Sequence, residues 1–450
     1  MSRCALVTAA ALLVPALARA QATPQAPPPP PPAGVRVGIT YTPGTLPSLT
    51  VLPVAAAGLD SAGAILRRDL DYSDRFQVVQ PPVTVALQGG AGMGTPNYAA
   101  LNALGTEYAV SITPADSGAG GARTPGEIVV SLHDVRQGSV MNRMQLRLPA
   151  GGEARRQAVH RAADEVVRWV TGSAGIAATT LLYVADGHLW RVDPDGEGRT
   201  LIPAAGLPAL SPAWSHDGRT VAYTAFLRSG QPIVLQDLAT GARQVLPGTE
   251  YGLNITPEFS PDDRLLAYAH GDENGTDLYT YDLARHCCLT RLTVGRYYDN
   301  LSPAWSPDGS RIAFISSRTG QPQLYVMAAD GSGQEVMASF DFGVTGQTNG
   351  PEWSPDGQSV AFHREVGGTP QVFVLDVATR GVRQLTGEGR NEDPTWAPDS
   401  RHLAFVSTRG GIRELRILDL ETGRMRPLVT TVDARLPAWS PRRTFFSEGR

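Results

Sequence analysis

Residues 302–314, SPAWSPDGSRIAF, hold the motif that decides the fold of this chain, because close variants of it recur along the C-terminal half. Full copies begin at residues 211, 256, 350 and 393, and a truncated copy, LPAWSP, begins at residue 436. The central aromatic residues recur about every 45 positions, a period typical of a β-propeller blade. These aromatic residues are Trp214, Phe259, Trp305, Trp353, Trp396 and Trp439.

Each copy predicts a tight turn followed by strands. Ser-Pro-Asp-Gly at residues 306–309 suits a turn, since proline fixes φ, aspartate bonds its own backbone and glycine accepts positive φ. Residues 311–315 are apolar on both faces, so this strand must be covered on both sides, and further strand-like runs follow from residue 323. Asp263 and Ser400 replace the turn glycine, and aspartate tolerates positive φ better than serine does.

The two ends of the repeat region complement each other. Residues 181–185, 188–192 and 200–202 read as the outer three strands of a blade that lacks its innermost strand, whereas residues 436–440 read as an innermost strand alone. Pairing the two ends would close a ring of six blades in which each blade covers its neighbour. The alternative, an open stack of six units, would leave bare sheet edges. We therefore predict a six-bladed all-β propeller over residues 181–446.

The first 33 residues predict export. Arg3, a short apolar run and Ala18-Arg-Ala20 follow the order of a cleavable secretory signal over residues 1–20. The run is too short to span a bilayer and is broken by Pro15, so we expect cleavage after Ala20 and no insertion of the mature chain into a membrane. Residues 21–33 form a proline-rich tail, either a semi-rigid spacer or a partner-binding arm.

Residues 34–172 predict a small mixed α/β domain, joined to the propeller by a linker at residues 173–180. The segment SLTVL at residues 48–52 suggests a buried strand, and a helix is expected after Asp60. A second helix is expected after the cap Thr95-Pro96, and a third should end at Gly172. Antiparallel strands are predicted at residues 107–112, 127–133 and 140–148.

Composition and motifs argue against several classes of function. The chain has 39 basic and 43 acidic residues and no basic block, so nucleic acid is not an expected partner. It contains no lysine, which excludes a Walker-type phosphate-binding lysine and a Schiff-base lysine. The glycines at residues 89–94 lack the spacing of a dinucleotide site, and the acidic turns at residues 193–196 and 272–275 do not continue to the glutamate of a calcium loop. We predict no catalytic, cofactor-binding or metal-binding residues.

Cys287 and Cys288 are the cysteines that remain after removal of the signal. Adjacent cysteines can close only a strained eight-membered ring, so we expect no structural disulfide here. His286 lies beside them, but there is no second cluster of ligands at zinc spacing. The sequence therefore predicts partly buried thiols on a blade strand.

The segments that lead into the innermost strands predict a partner-binding surface. They should converge at one end of the propeller channel, opposite the Ser-Pro-Asp-Gly turns. Tyrosine and arginine are favoured as interface anchors, and acidic side chains suit a polar rim. The alternative is that these side chains satisfy hydrogen bonds between blades. The candidates are Asn254, Tyr297, Tyr298, Asp299, Asn300, Thr348, Asn349, Asn391, Glu392, Asp393 and Arg435.

The order of these features resembles the TolB family. The resemblance rests on an export signal, VLPV at residues 51–54 before a helix at residues 59–72, and six SPAWSPDG-type blades closed by LPAWSP; it covers about residues 34–441. It implies a non-enzymatic periplasmic scaffold of the Tol–Pal envelope system that supports outer-membrane integrity and cell division. It further implies that the propeller binds the peptidoglycan-associated lipoprotein Pal and that the N-terminal arm contacts TolA. The polyproline tail departs from the short arm expected of the family.

Two other classes of function stay open from the sequence. An exported propeller enzyme could be peptidase-like or a metal-dependent lyase, although a serine peptidase would need an α/β-hydrolase domain and no part of the chain fits one. A metal-dependent lyase would be distinguished by its bound metal. The other class is a generic exported propeller scaffold outside the Tol system.

Overall fold

The structure is a computed structural model of the chain from residue 46 onward. It describes residues 46–54, 58–80, 87, 96–115, 126–205, 208–228, 230–338, 346–409 and 411–442. The predicted signal at residues 1–20, the proline-rich tail at residues 21–33 and the glycine-rich loop at residues 89–94 lie outside these residues. The domain boundaries drawn from the sequence stay predictions.

The N-terminal layer is a five-stranded sheet with helices on both faces. Its described elements are β1 (Ser48–Val51), α1 (Asp60–Tyr72), β2 (Gln77–Val78), α2 (Tyr98–Ala103), β3 (Tyr108–Pro114), β4 (Glu127–Asp134), β5 (Ser139–Arg147) and α3 (Gly152–Thr171). The strand order is β2-β1-β3-β4-β5, with β1 parallel to β2 and β3 and the other pairs antiparallel. Apolar side chains of α1 and α3 pack together on one face of this sheet.

The helix ends of this layer partly match the sequence signals. Gly172 ends α3 with a φ of +82°, as its position predicts. The predicted cap of α2 was wrong, because the side chain of Asn97 caps this helix by accepting a hydrogen bond from the backbone N–H of Ala100. Beyond α3 the chain turns back, and the half-buried Asp164 carboxylate accepts the backbone N–H groups of Ala177 and Ala178 at 2.7 and 2.9 Å. This carboxylate fixes the connection to the propeller.

Six four-stranded antiparallel sheets follow in the described residues and form the blades. The outer strands of blade 6 come first, as β6 (Leu181–Ala185), β7 (His188–Val192) and β8 (Thr200–Ile202). Blade 1 is β9 (Ala209–Trp214), β10 (Thr220–Ala225), β11 (Ile233–Asp237) and β12 (Arg243–Val245). Blade 2 is β13 (Leu253–Phe259), β14 (Leu265–Asp272), β15 (Gly275–Asp282) and β16 (Cys287–Arg291).

The remaining blades repeat the same order. Blade 3 is β17 (Asn300–Trp305), β18 (Arg311–Ser316), β19 (Gln323–Ala328) and β20 (Glu335–Ala338). Blade 4 is β21 (Thr348–Trp353), β22 (Ser359–Val366), β23 (Thr369–Asp376) and β24 (Val382–Gln384). Blade 5 is β25 (Arg390–Trp396), β26 (His402–Arg409), β27 (Ile412–Asp419) and β28 (Met425–Val429), and the last strand is β29 (Ala434–Trp439).

The last strand closes the ring, which confirms the predicted six-bladed propeller. β29 pairs antiparallel with β6, with Trp439 opposite Leu181, and becomes the innermost strand of blade 6. The Trp439 indole N–H donates to Thr179 Oγ1 at 2.8 Å. Each innermost strand contacts the innermost strands of both neighbouring blades, from β9 round to β29 and back to β9. The ring therefore has no open end in the described part of the chain.

Every innermost strand contains a bulge that the sequence analysis missed. The residue three positions before the central aromatic residue has a positive φ and precedes a proline, and the pairing register with the second strand shifts at this point. Such a bulge bends the strand and re-aims the side chains that follow. The bulged residues are Ser211, Thr256, Ser302, Gly350, Asp393 and Leu436.

The two turns without glycine link neighbouring blades. Asp263 and Ser400 both have a φ of +57°, as their positions predict. The Asp263 carboxylate accepts the backbone N–H groups of His216 and Asp217 in the preceding turn, at 2.7 and 2.9 Å. The Ser400 hydroxyl accepts the backbone N–H of Asp356 at 3.0 Å. These bonds between blades offset the less favourable backbone conformation.

The prediction of partly buried free thiols was wrong. Cys287 and Cys288 form a disulfide in the structure, and both side chains are exposed. They begin β16, the outermost strand of its blade, which pairs with a neighbouring strand on one side only. Their Cα atoms lie 3.8 Å apart, the ordinary spacing of consecutive residues, so the chain itself brings the two sulfur atoms together and the small ring forms despite its expected strain.

Ring closure gives the first testable prediction. Trp439→Ala should lower the free energy of unfolding by about 3–5 kcal/mol, because it removes a buried indole from the strand that joins the two chain ends. Arg435→Ala, an exposed change on the same strand, should cost less than about 1 kcal/mol. Urea denaturation of both variants measures the difference. Equal stability of the two variants would contradict closure through β29.

The glycine-free turn gives a second prediction. Asp263→Gly relieves a positive φ but removes two hydrogen bonds to the neighbouring turn, so we expect a net loss of about 1 kcal/mol. Asp263→Asn keeps one acceptor oxygen and should cost less. Thermal unfolding of both variants tests the order, and a rise in melting temperature for Asp263→Gly would show that the bonds between blades contribute nothing.

Candidate functional site

The propeller has two distinct ends, which we name by their loops. The turn face carries the Ser-Pro-Asp-Gly-type turns, and the loop face carries the loops that lead into the innermost strands. The N-terminal layer packs on the turn face of blades 5 and 6, where Arg401 donates to the backbone oxygen of Asp74 at 2.6 Å and Arg424 pairs with Asp71 at 2.8 Å. In the described residues the loop face therefore points away from this layer.

Three predicted site residues on the loop face are structural. Asn254, Asn300 and Asn391 are each fully buried, five positions before the central aromatic residue. Each side-chain amide donates to a group of the preceding blade or of the loop that leaves it, which is the alternative left open by the sequence. The acceptors are the backbone oxygen of Thr249, the carboxylate of Asp277 and the side-chain oxygen of Gln371, at 2.9 Å each.

The other candidates differ in exposure. Thr348 is buried and accepts a hydrogen bond from the Arg364 guanidinium at 3.2 Å. Tyr298 is half-buried, because its hydroxyl donates to the backbone oxygen of Val294 and Arg318 lies over its ring. The exposed candidates are Tyr297, Asp299 and Arg435, and the half-buried ones besides Tyr298 are Asn349, Glu392 and Asp393.

Sequence reasoning missed part of the exposed apolar surface on the loop face. Tyr297 is 90% exposed, and Tyr251 and Val294 are 78% and 71% exposed. Leu253 begins β13, two positions after Tyr251, and Leu227 lies in the loop between β10 and β11. A bridge between Gln231 and Leu253 joins these two parts of the loop face. We call these residues the apolar patch: Leu227, Tyr251, Leu253, Val294 and Tyr297. Of these residues only Tyr297 was among the predicted candidates, because its residue type is favoured at interfaces.

The loop face of blades 5 and 6 is mainly charged, although Ile412 of blade 5 is 54% exposed there. Its side chains form exposed ion pairs, at distances from 3.4 to 3.8 Å: Arg390 with Glu392, Arg409 with Glu388, and Arg413 with Asp433. Arg435 also contacts Asp433. Exposed pairs of this kind contribute about 0–1 kcal/mol each, so they rearrange easily when another surface approaches. The loop face thus combines an apolar side with a charged side.

The turn-face end of the channel holds a cavity of about 360 Å³ lined by the turn prolines and by the central tryptophans, but not by Phe259. Two glutamates, Glu258 and Glu352, also line it. Burial raises the pKa of Glu352 to about 7, although its carboxylate accepts the backbone N–H of Trp396 at 2.8 Å and the hydroxyl of Thr395 at 3.1 Å. Burial and the charge of Glu352 raise the pKa of Glu258 well above its usual range. Glu352 thus links blades 4 and 5.

Two groups of side chains in the described residues have the proximity of metal ligands. They are Asp69 with His160 and Asp195, and Asp74 with His402 and Asp419. Guanidinium groups already neutralise the carboxylates, since Arg156 contacts Asp195 at 2.8 Å and Arg401 contacts Asp419 at 2.6 Å. We therefore interpret both groups as ion-pair networks between the N-terminal layer and the propeller.

The comparison with protein families shows to which family the chain belongs. Residues 167–443 match the family described as TolB beta propeller domain. The chain belongs to this family. The family match covers all the blade strands described above, from β6 to β29, and it confirms the resemblance inferred from the repeated turns.

Curated TolB proteins align with part of the chain. A protein TolB homolog from Chlorobium chlorochromatii is 30% identical over 264 residues, which is 57% of each chain. The Tol-Pal system protein TolB from Xanthomonas oryzae pv. oryzae is 30% identical over 226 residues, 47% of this chain and 50% of its own length. The chain thus spans only about half the length of these TolB relatives.

A solved structure of TolB matches more of the fold. TolB from Acinetobacter baumannii superposes with a TM-score of 0.74 at 25% sequence identity, over 90% of this chain and 98% of that chain. The similarity extends beyond the TolB propeller into the N-terminal part. Among the described residues, no helix is both long and apolar enough to cross a membrane.

The channel carboxyls predict a pH dependence of stability. The unfolded chain releases the Glu352 proton near pH 4.5, whereas the folded protein holds it to about pH 7, so stability should fall as the pH rises between these values. Glu352→Gln should reduce this fall by about 1–2 kcal/mol. Urea denaturation at pH 4.5 and pH 7 measures this fall in the free energy of unfolding.

Glu273→Gln is the matched control, because Glu273 is exposed on the loop between β14 and β15. It should keep the pH dependence of the unmodified protein. A Glu352→Gln profile that overlays the control profile would contradict the assignment of the fall to the channel.

Proposed function

We propose that this chain is the periplasmic propeller protein of a Tol–Pal system and that it binds Pal through its loop face. The observation that carries the proposal is the membership of the TolB propeller family. One relative, from Xanthomonas oryzae pv. oryzae, is named Tol-Pal system protein TolB, which ties that protein to the same system. The proposed role is binding without catalysis.

The loop face supports the proposal through its exposed side chains. Exposed aromatic residues such as Tyr297 and Tyr251 are the type that dominates binding energy in protein interfaces. The ion pairs around Glu392 and Arg435 lie to the other side of the channel and suit a polar rim. The N-terminal layer occupies the opposite end of the propeller, so a partner can approach the loop face freely.

The N-terminal end of the chain has its own part in the proposal. We propose export by the signal at residues 1–20, with cleavage after Ala20, which places the mature protein in the periplasm. There the arm that precedes the N-terminal layer would contact TolA. Through these two contacts the protein would contribute to outer-membrane integrity and cell division.

Calorimetry with purified Pal from the same organism tests the proposed interface. Tyr297→Ala and Tyr251→Ala should each weaken binding by about tenfold, because they remove exposed aromatic anchors without touching the core. Glu392→Arg and Arg435→Glu should each weaken binding less and slow association, as expected for rim charges. Asn391→Ala would instead lower stability, since its amide is buried between blades.

Arg219→Glu on the turn face is the control, because this exposed residue belongs to the turn between β9 and β10. It should bind Pal like the unmodified protein. Unchanged affinity of both tyrosine variants and both charge reversals, in proteins that melt normally, would move the interface elsewhere. Absence of any binding by the unmodified protein would contradict membership of a Tol–Pal system.

A further inference from the structure

The C-terminal half of α1 and the residues after it form a dense charged contact with the propeller. We call residues 68–75, RDLDYSDR, the docking segment. Arg68 pairs with Asp195 of blade 6, and Arg424 of blade 5 contacts both Asp71 and Asp74. Arg426 of blade 5 lies 4.3 Å from the centre of the Tyr72 ring. The segment thus touches two adjacent blades.

A histidine is buried at the first of these contacts. His160 of α3 is fully buried; its Nδ1 lies 2.7 Å from Asp69 of the docking segment and its Nε2 lies 3.5 Å from Asp193 of blade 6. The other charged groups around it are Arg156 and Asp164 on α3, Arg68 on α1, and Asp195 on the loop after β7. One imidazole therefore lies between carboxylates of the layer and of the propeller.

A second histidine repeats this arrangement at the other contact. His402 of β26 is fully buried; its Nδ1 lies 2.7 Å from Asp399 and its Nε2 lies 3.3 Å from Asp74 of the docking segment. The other charged groups at this contact are Arg75 on the segment and Arg401, Asp419, Glu421 and Arg424 on blade 5. Again the two ring nitrogens face carboxylates of different layers.

The geometry at His402 requires a protonated ring. A neutral imidazole has one N–H donor and one lone pair, whereas an imidazolium has two donors. With a carboxylate at each nitrogen, a neutral ring would point a lone pair at an anion inside the protein, where such repulsion is strong. The His402 ring must therefore carry two protons to join the layers. At His160, Nε2 lies 3.5 Å from Asp193 and 3.4 Å from the Arg156 guanidinium, and the carboxylates of Asp69 and Asp193 favour the protonated ring.

We propose that His160 and His402 form a proton-dependent lock between the N-terminal layer and the propeller, in which bound protons hold the docking segment on the turn face and their loss releases it. The lock lies at the opposite end of the propeller from the proposed Pal interface and does not depend on that proposal. It would make docking of the layer respond to the pH outside the protein.

The pKa values agree in sign with this geometry. Burial opposes protonation of His160, but hydrogen bonds to Asp193 and Asp69 outweigh it and raise its pKa to about 9. The pKa of His402 is also raised, by Asp399 and Asp74 against the effect of burial. A raised histidine pKa stabilises docking fully below about pH 6.5, and this contribution is lost as the pH rises through about 9.

The composition of the chain gives an experimental window for this transition. The chain contains no lysine, so no ammonium side chain titrates near pH 9 to 10. Burial raises the pKa of Asp164 to about 7, below a window from pH 8 to pH 9.5, and lowers that of Arg426 to about 10, just above this window. The tyrosines with a displaced pKa, Tyr183 and Tyr268 among them, are shifted upward, away from the window.

Hydrogen exchange of the full mature chain at pH 8 and pH 9.5, corrected for the intrinsic rates, tests the lock. Protection of α1 should fall about tenfold between these pH values, while strands β17, β18 and β19 of blade 3 keep theirs. In the double variant His160→Gln and His402→Gln, α1 protection should be low at both pH values, because a neutral amide cannot replace the imidazolium. His188→Gln is the control and should behave like the unmodified protein, since His188 makes no ion pair in the described structure.

Equal α1 protection at the two pH values in the unmodified protein would overturn the lock. So would a double variant that keeps the original pH dependence. If the double variant does not fold, the histidine resonances of the unmodified protein decide in its place. A histidine that titrates above pH 8, as expected for His160, would support the lock, and titration of all histidines below pH 8 would refute it.

Discussion

Pairing between β29 and β6 is the interaction on which the rest of the structure depends. It joins residues more than 250 positions apart, as the bond between the Thr180 N–H and Ser440 Oγ shows. Each blade buries its apolar faces only against its neighbours, so an unclosed ring would expose a face at each end. The N-terminal layer depends on the same closure, because it contacts blades 5 and 6, which meet at this junction.

The fold was predictable because its signals are local and repeated. The turn Ser-Pro-Asp-Gly and the aromatic residue before it recur in the printed sequence, and each copy reinforces the others. The bulges at Ser302 and at the equivalent positions of the other blades were not predicted. Serine, threonine and leucine do not signal a positive φ, and the only shared sequence feature is the proline that follows. The exposed pair Cys287–Cys288 was also misjudged, because exposure on an outermost strand depends on the blade order.

The candidate site was predictable only in outline. The loops that lead into the innermost strands lie together at one end of the propeller, but composition could not separate Asn300, which is fully buried, from Tyr297, which is 90% exposed. Asparagine and tyrosine are both common at interfaces and inside loops, and only the fold decides which side chain turns inward. No local sequence signal predicts the contact of Arg401 with Asp74, because 327 positions separate the two residues.

The two ends of the propeller use charge in opposite ways. On the turn face Asp419 and His402 are fully buried, so opening this contact would leave charges without partners in a medium of low dielectric constant. On the loop face the pairs of Arg409 and Arg435 lie in solvent, where exchanging one partner for another changes the free energy little. The first arrangement suits a contact within one molecule that stays closed while its protons are bound. The second suits a surface that meets and leaves another protein, and in this propeller the two arrangements lie at opposite ends of the channel.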